Sequence, residues 1–279
     1  TDVQHLPAYP ADTYFAGKAL ARDAQLLQLA KTLGRDDLAA TVRNRLVPEM
    51  RTWTNPAGCA TPGAARCFYD QNNHGVVGLV ATFGSDEFND HHFHYGYFRY
   101  AAALVAMDDP NLVSEMAPVM TLLSSDIARP VASDRFPALR VYDAYASHSW
   151  ASGTSPFADA NNQESTSEAV AAWVGLRLWG EVSGDQAMAD QGTWMQSNEA
   201  NAALAYWLNF NKSDPLYAPL EYSYLPLNFG GKRDFATWFS PDPEAGLAIQ
   251  VLPVPPASTY LGRDPDRVAT NIDNALTAD

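Results

Sequence analysis

Apolar positions in this chain recur mostly at the spacing of amphipathic helices, and the helical stretches are separated by long segments rich in Pro, Gly and aromatic residues. From Asp12 to Leu33 the residues Phe15, Leu20, Ala24, Leu27, Ala30 and Leu33 return every three to five positions, and Gly34 closes the segment. Asp36 to Trp53 repeats the pattern through Leu38, Val42, Leu46 and Met50, which predicts a helical hairpin at the start. Residues 67–83 differ, because Gly75, Gly78 and Gly84 frame short β-branched runs that read as loop and short strand. Helix is predicted again from about Asp90 to Met107, where Asp109-Pro110 stops it, and then over 111–125, 165–179, 185–210 and 264–276. The intervening stretches 135–162 and 214–256 are expected to be loops, and loops of that length inside a compact domain are usually functional. The predicted class is all-α with a few short strands. Helix pairs alternating with long loops suggest a helical barrel or toroid, a single domain over residues 1–279 with its site built from loops gathered at one end.

Composition narrows the partners. The 279 residues are 47% hydrophobic, enough for a sizeable core, and carry a net charge of -14. Such an acidic chain would be repelled by nucleic acid and by an anionic membrane surface, so a neutral substrate is expected. No apolar run approaches the roughly 18 residues that span a bilayer, and residues 1–11 lack the layout of a signal peptide. Cys59 and Cys67 bracket a turn-rich stretch short enough for its ends to meet. A local disulfide there would contribute about 2 kcal/mol and point to an oxidising, extracellular compartment; the alternative is two unpaired thiols. With no histidine at ligand spacing, the cysteines do not read as a zinc site.

Two clusters carry candidate chemistry. Asn89-Asp90-His91-His92-Phe93-His94-Tyr95-Gly96-Tyr97 holds half of the chain's six histidines, and Asn161 to Glu168 supplies two carboxylates. Glycoside hydrolysis needs a carboxylic acid to protonate the leaving oxygen and a carboxylate to act as base or nucleophile. Asp90 lies among Phe88, Phe93 and Tyr95, surroundings that would hold its proton as an acid requires; it also reads as a helix cap. Glu164 and Glu168, four apart near a helix start, fit a general base and a carboxylate that orients water. Ser165-Thr166-Ser167-Glu168 equally has the form of a capping box. His91 and His94 would share a helix face while His92 would not, so sugar contacts or supporting roles are expected rather than a metal site. Trp173, Trp179, Trp194 and Trp207 fall in helices and are expected in the core, whereas Trp150 and Trp238 lie in loops as candidate stacking platforms. No nucleophile elbow, phosphate loop or dinucleotide fingerprint is present, and no cofactor is expected.

The segments Asn89 to Phe98, His148-Ser149-Trp150-Ala151-Ser152-Gly153, Asn162-Gln163-Glu164-Ser165 with Ser167-Glu168-Ala169, and Ala236-Thr237-Trp238-Phe239 resemble, in order, the signatures of glycoside hydrolase family 81, the endo-β-1,3-glucanases. The likeness extends from about Asp12 to Leu261. The resemblance implies an (α/α)6 toroid and hydrolysis of β-1,3-glucan with inversion, with Asp90 as general acid, Glu164 as general base and Glu168 as a supporting carboxylate. Asn89, His91, His94, Tyr97, His148, Trp150, Asn162, Gln163 and Trp238 would contact the glucan. Family members usually carry an N-terminal β-sandwich and further C-terminal helices, so the sequence reads as a catalytic-domain fragment, secreted and monomeric. Asn72-Asn73-His74 depart from the family's usual residues at the expected cleft rim. Two other classes compete: a glucan-binding fragment without turnover, and a polysaccharide lyase on a similar toroid, which would use a Tyr or His base on an acidic polymer.

Overall fold

The computed structural model of the chain describes residues 2–71 and 75–277; Asn72-Asn73-His74, read above as a departure at the cleft rim, lie outside them. The all-α class holds. Among the described residues there are eight α-helices and seven strands, none of the strands longer than four residues. The chain forms two compact units, one of residues 1–140 with 172–193 and the other of 141–171 with 194–279.

The first unit is built from helical hairpins. Helix α1 (Thr13–Thr32) begins at Asp12, whose carboxylate accepts the Phe15 N–H, and α2 (Asp36–Trp53) returns antiparallel to it. Arg45 on α2 meets the buried Asp23 of α1 at 2.8 Å. Phe15 and Leu33, predicted on the apolar face of α1, are exposed; its buried stripe runs through Ala16, Leu20, Ala24 and Leu27. The disulfide Cys59–Cys67 forms, with Cα atoms 5.4 Å apart, below a two-stranded sheet of β1 (Phe68–Gln71) and β2 (Gly75–Gly78).

Helix α3 (His91–Ala106) is buried along its whole length. It lies parallel to α1, as the bonds from Thr13 to His94 at one end and from Gln28 to the Leu104 carbonyl at the other show. Helix α4 (Pro110–Ala128) follows, three residues longer at its C-terminus than the pattern predicted. The C-terminal half of α5 (Thr166–Ser183) packs parallel to α3, and the approach is so close that a Cβ on Gly96 would lie 2.5 Å from the Ala172 Cα. Only glycine fits there. The first half of α6 (Gln186–Ala203) turns back against α5 at Gly180 and Gly192. Three hairpins with parallel first members are the repeating theme expected of paired-helix architecture.

The second unit carries the long loops, and they are less irregular than predicted. Strands β3 (Tyr142–Asp143) and β4 (His148–Ser149) form a hairpin, and β5 (Asn162–Gln163), β6 (Leu227–Phe229) and β7 (Arg233–Asp234) a three-stranded sheet. Helix α6 runs into a π-helical turn, Leu204–Leu208, that ends the regular segment before Phe210. Helix α7 (Pro243–Val251) falls where loop was expected: Pro243 and Glu244 supply a helix start, but nine residues interrupted by Gly246 leave too little periodicity to read. With α8 (Pro265–Thr277) it encloses a core of Trp207, Leu208, Tyr224, Leu247 and Ala275. Trp173, Trp179 and Trp207 are buried as predicted, but Trp194 is 42% exposed, its ring 5.1 Å from that of Tyr142. No helix among the described residues is long and apolar enough to cross a membrane.

Candidate active site

In the first unit the approach to α3 is a strained loop. Phe83, Phe88 and Asp90 all have left-handed φ, at 52°, 66° and 58°, a conformation uncommon for non-glycine residues and one that concentrates at functional sites. Asp90 occupies the N-cap position, yet its side chain does not cap the helix. The capping alternative therefore fails.

What holds the loop is a set of buried groups. Asp126, fully buried on α4, receives the Val76 N–H at 3.1 Å and faces His91 Nδ1 at 2.6 Å. His91 Nε2 lies 2.8 Å from the Ser85 carbonyl, which can only accept, so that nitrogen carries a proton. The Phe88 ring fills the space a Cβ on Gly75 would need, and Arg140 lies 4.6 Å above it. Asn89 donates its amide to the Phe83 carbonyl and so ties the two ends of the loop.

Several of the expected sugar contacts are buried within the protein. His91 is fully buried with both ring nitrogens engaged by protein, and it ties the start of α3 to Asp126 and to the Ser85 carbonyl. His94 is buried too, bonded to Thr13 at 2.7 Å, and burial pushes its pKa down to about 3, so it stays neutral. His92 stacks on Trp173. Tyr97 is buried on the face of α3 that meets α1, within 6.3 Å of the Tyr14 ring.

In the second unit three of the four sequence motifs converge. The Ala151 N–H bonds the Asn162 carbonyl, and Asn161 binds the Ser152 backbone in both directions, so the His148–Gly153 segment is zipped to Asn161–Asn162. Asn162 Oδ1 accepts from the Trp238 indole at 3.4 Å. Glu164 Oε1 accepts the Trp238 backbone N–H at 2.9 Å. Gln163, expected at the glucan, is fully buried and donates to the Ser149 hydroxyl at 2.7 Å. Ser149 donates its N–H and hydroxyl to the buried carboxylate of Glu199 on α6. His148 is buried, donates from Nδ1 to the Ser149 carbonyl, and is held below the ordinary histidine range by burial. The Trp150 indole donates to Asp143, with its ring 4.4 Å from that of His148. Trp238 remains 57% exposed, stacked on Phe157 at 5.5 Å and edge-on to Phe229, a rigid aromatic surface beside a carboxylate.

Glu164 lies two residues before α5 and not on it, so it does not share a helix face with Glu168. The expected stabilisation of its charge by the helix start is outweighed. Burial raises its pKa above the ordinary carboxylate value, the Trp238 N–H opposes this, and the negative Glu168 adds to it. Ser165 spends its hydroxyl on the Ile249 carbonyl.

The raised pKa has a sign for stability. A carboxyl whose folded pKa exceeds its unfolded one contributes stability below the unfolded value and loses it as pH rises through the folded value. Glu164→Gln, which removes the buried charge, should therefore raise the melting temperature at about pH 7 and leave it unchanged at about pH 4. Scanning calorimetry at the two pH values checks this; an equal gain at both would contradict it.

Asp126, Glu199 and Gln250 were not singled out from sequence. Asp126 and Glu199 share one readable signal, a carboxylate on the apolar face of a helix, between Leu123 and Ile127 in one case and beside Met195 and Ala203 in the other. Gln250 offered none, because its helix was itself unread.

The glycosyl hydrolase family 81 C-terminal domain matches residues 2–278. A glucan endo-1,3-beta-D-glucosidase of Acetivibrio thermocellus is 38% identical over 273 residues, covering 95% of this chain and 34% of that protein. One of the same name from Thermobifida fusca is 37% identical over 276 residues, with 96% and 35% covered. A solved structure of a glycoside hydrolase family 81 protein from Clostridium thermocellum superposes with a TM-score of 0.89 at 35% identity, over 99% of this chain and 38% of that one. The chain spans about a third of the length of these relatives.

Proposed function

The chain belongs to glycosyl hydrolase family 81, and from that premise we propose that it cleaves internal β-1,3-glucosidic bonds of β-1,3-glucans by acid/base hydrolysis with inversion. Asp90 protonates the glycosidic oxygen as the C1–O bond breaks. Glu164 removes a proton from the water that attacks C1 on the opposite face, and Glu168 supports it. The proton Asp90 gives up is restored from solvent as Glu164 returns its own. Trp238 offers its ring to the C–H face of a glucose unit while its backbone N–H aims Glu164.

The observation that carries this reading is Glu164: a carboxylate with a raised pKa, fixed by one N–H and set beside an exposed, braced tryptophan. A base must hold a proton once it has taken it, and a raised pKa serves that step. The names of the relatives supply the linkage and the endo action. The disulfide and the net charge of -14 fit a protein working outside the cell on neutral glucan, which we take to act as a monomer.

The test is digestion of a linear β-1,3-glucan followed by proton NMR. Early release of oligosaccharides whose first anomer is α is expected. An initial β-anomer would overturn inversion, and binding of the glucan without any cleavage would overturn the hydrolase reading in favour of a binding fragment.

A further inference from the structure

Gln250 is fully buried on α7, and its amide is bonded on every side. The nitrogen donates to two carbonyls, those of Glu164 and Pro226, the latter at 2.7 Å. Its oxygen accepts from the Thr166 backbone N–H at 3.3 Å and from the Thr166 hydroxyl at 2.8 Å. The orientation of the amide is forced. Carbonyl oxygens only accept and a backbone N–H only donates, so exchanging the nitrogen and oxygen would leave all three groups unpaired.

Three segments thus meet on one side chain: the Glu164 segment before α5, the first residue of α5, and the approach to β6. We infer that Gln250 is a positioning residue for the reaction, one that fixes the backbone of Glu164 while Trp238 fixes its carboxylate. This rests on Glu164 being the general base. The two restraints are complementary. The Trp238 N–H sets where Oε1 points, but that direction is useful only if the Cα from which the side chain swings is itself fixed. The other flank is held through Gln163, which reaches Ser149. Ser165 and Ser167 add bonds to the Ile249 carbonyl, so the C-terminal end of α7 is a frame against which the start of α5 is set.

No other residue type reproduces the arrangement. Glutamate keeps the length and the acceptor for Thr166 but presents oxygen to the Glu164 and Pro226 carbonyls, and leucine keeps the volume and loses all the bonds. A displacement of the base by around an ångström costs about 10²-fold in rate. Binding surfaces such as Trp238 would be undisturbed, so the loss should fall on kcat.

The experiment compares Gln250→Glu and Gln250→Leu with wild type on linear β-1,3-glucan, then repeats Gln250→Glu in a Glu164→Ala background. Both single variants should lose about 10²-fold in kcat with KM unchanged, at a temperature where calorimetry shows them folded. In the Glu164→Ala background Gln250→Glu should change the residual rate no further, because a residue acting through Glu164 has nothing left to position. Wild-type kcat in the folded single variants would overturn the inference, as would a full multiplicative loss in the double variant. If Glu164→Ala itself turned over like wild type, the assignment of the base would fall instead, which separates that failure from this one.

Discussion

Asp90→Asn should fold like wild type and lose about 10²- to 10⁴-fold in kcat on β-1,3-glucan, the range that general acid catalysis contributes. Asparagine suits the position structurally. It tolerates the left-handed backbone that Asp90 adopts, and the helix does not depend on a side-chain cap there. What it cannot do is give a proton to the departing sugar oxygen. The loss should therefore depend on the leaving group. A dinitrophenyl β-laminaribioside expels a stable phenolate without protonation, so on that substrate Asp90→Asn should approach the wild-type rate. An equal deficit on both substrates would show that Asp90 acts in binding or folding and not as the acid.

The same loop explains why Asp90 was only half legible. An Asp before a helix reads as a cap because that is its commonest role, and nothing local in Asn89-Asp90-His91 contradicts it. The contradiction comes from afar, from Asp126 on α4, Gly75 on β2 and Arg140, which hold His91 and Phe88 and thereby set the backbone. Long, strongly periodic segments behaved oppositely. Helices α1 and α2 matched the spacing within a residue, since period and punctuation by Gly34 and Asp36 agree.

The histidines left two readings open, sugar contacts or supporting roles, and the burial of α3 along its whole length, which spacing could not show, favours support for His91, His92 and His94. Glu164 misled in its electrostatics. Read as helical, it should have been stabilised as an anion; placed two residues before α5, with the Trp238 N–H on its carboxylate, it is desolvated instead. Sequence motifs singled out Glu164 as a candidate, whereas its electrostatics depended on the fold.

The roles of Glu164 and Glu168 can be separated by chemistry. Glu164→Ala should lose about 10²- to 10⁴-fold in kcat because water is a poor nucleophile without a base. Azide needs no base. Added to Glu164→Ala, it should occupy the space of the missing carboxylate, attack C1 as Asp90 protonates the leaving oxygen, and yield an α-configured glycosyl azide. A β-configured azide would mean that the removed group had been shielding the opposite face, as the acid/base residue of a retaining enzyme does, and inversion would be excluded. Glu168→Ala keeps the base and should lose less, with water still the nucleophile and no azide product. Its pH profile carries a further sign. Glu168 raises the pKa of Glu164, so removing it should move the acidic limb of kcat/KM to lower pH, where a base of lower pKa is already ionised. If instead Glu168→Ala gave the azide product and Glu164→Ala did not, the base would be Glu168 and Glu164 its support.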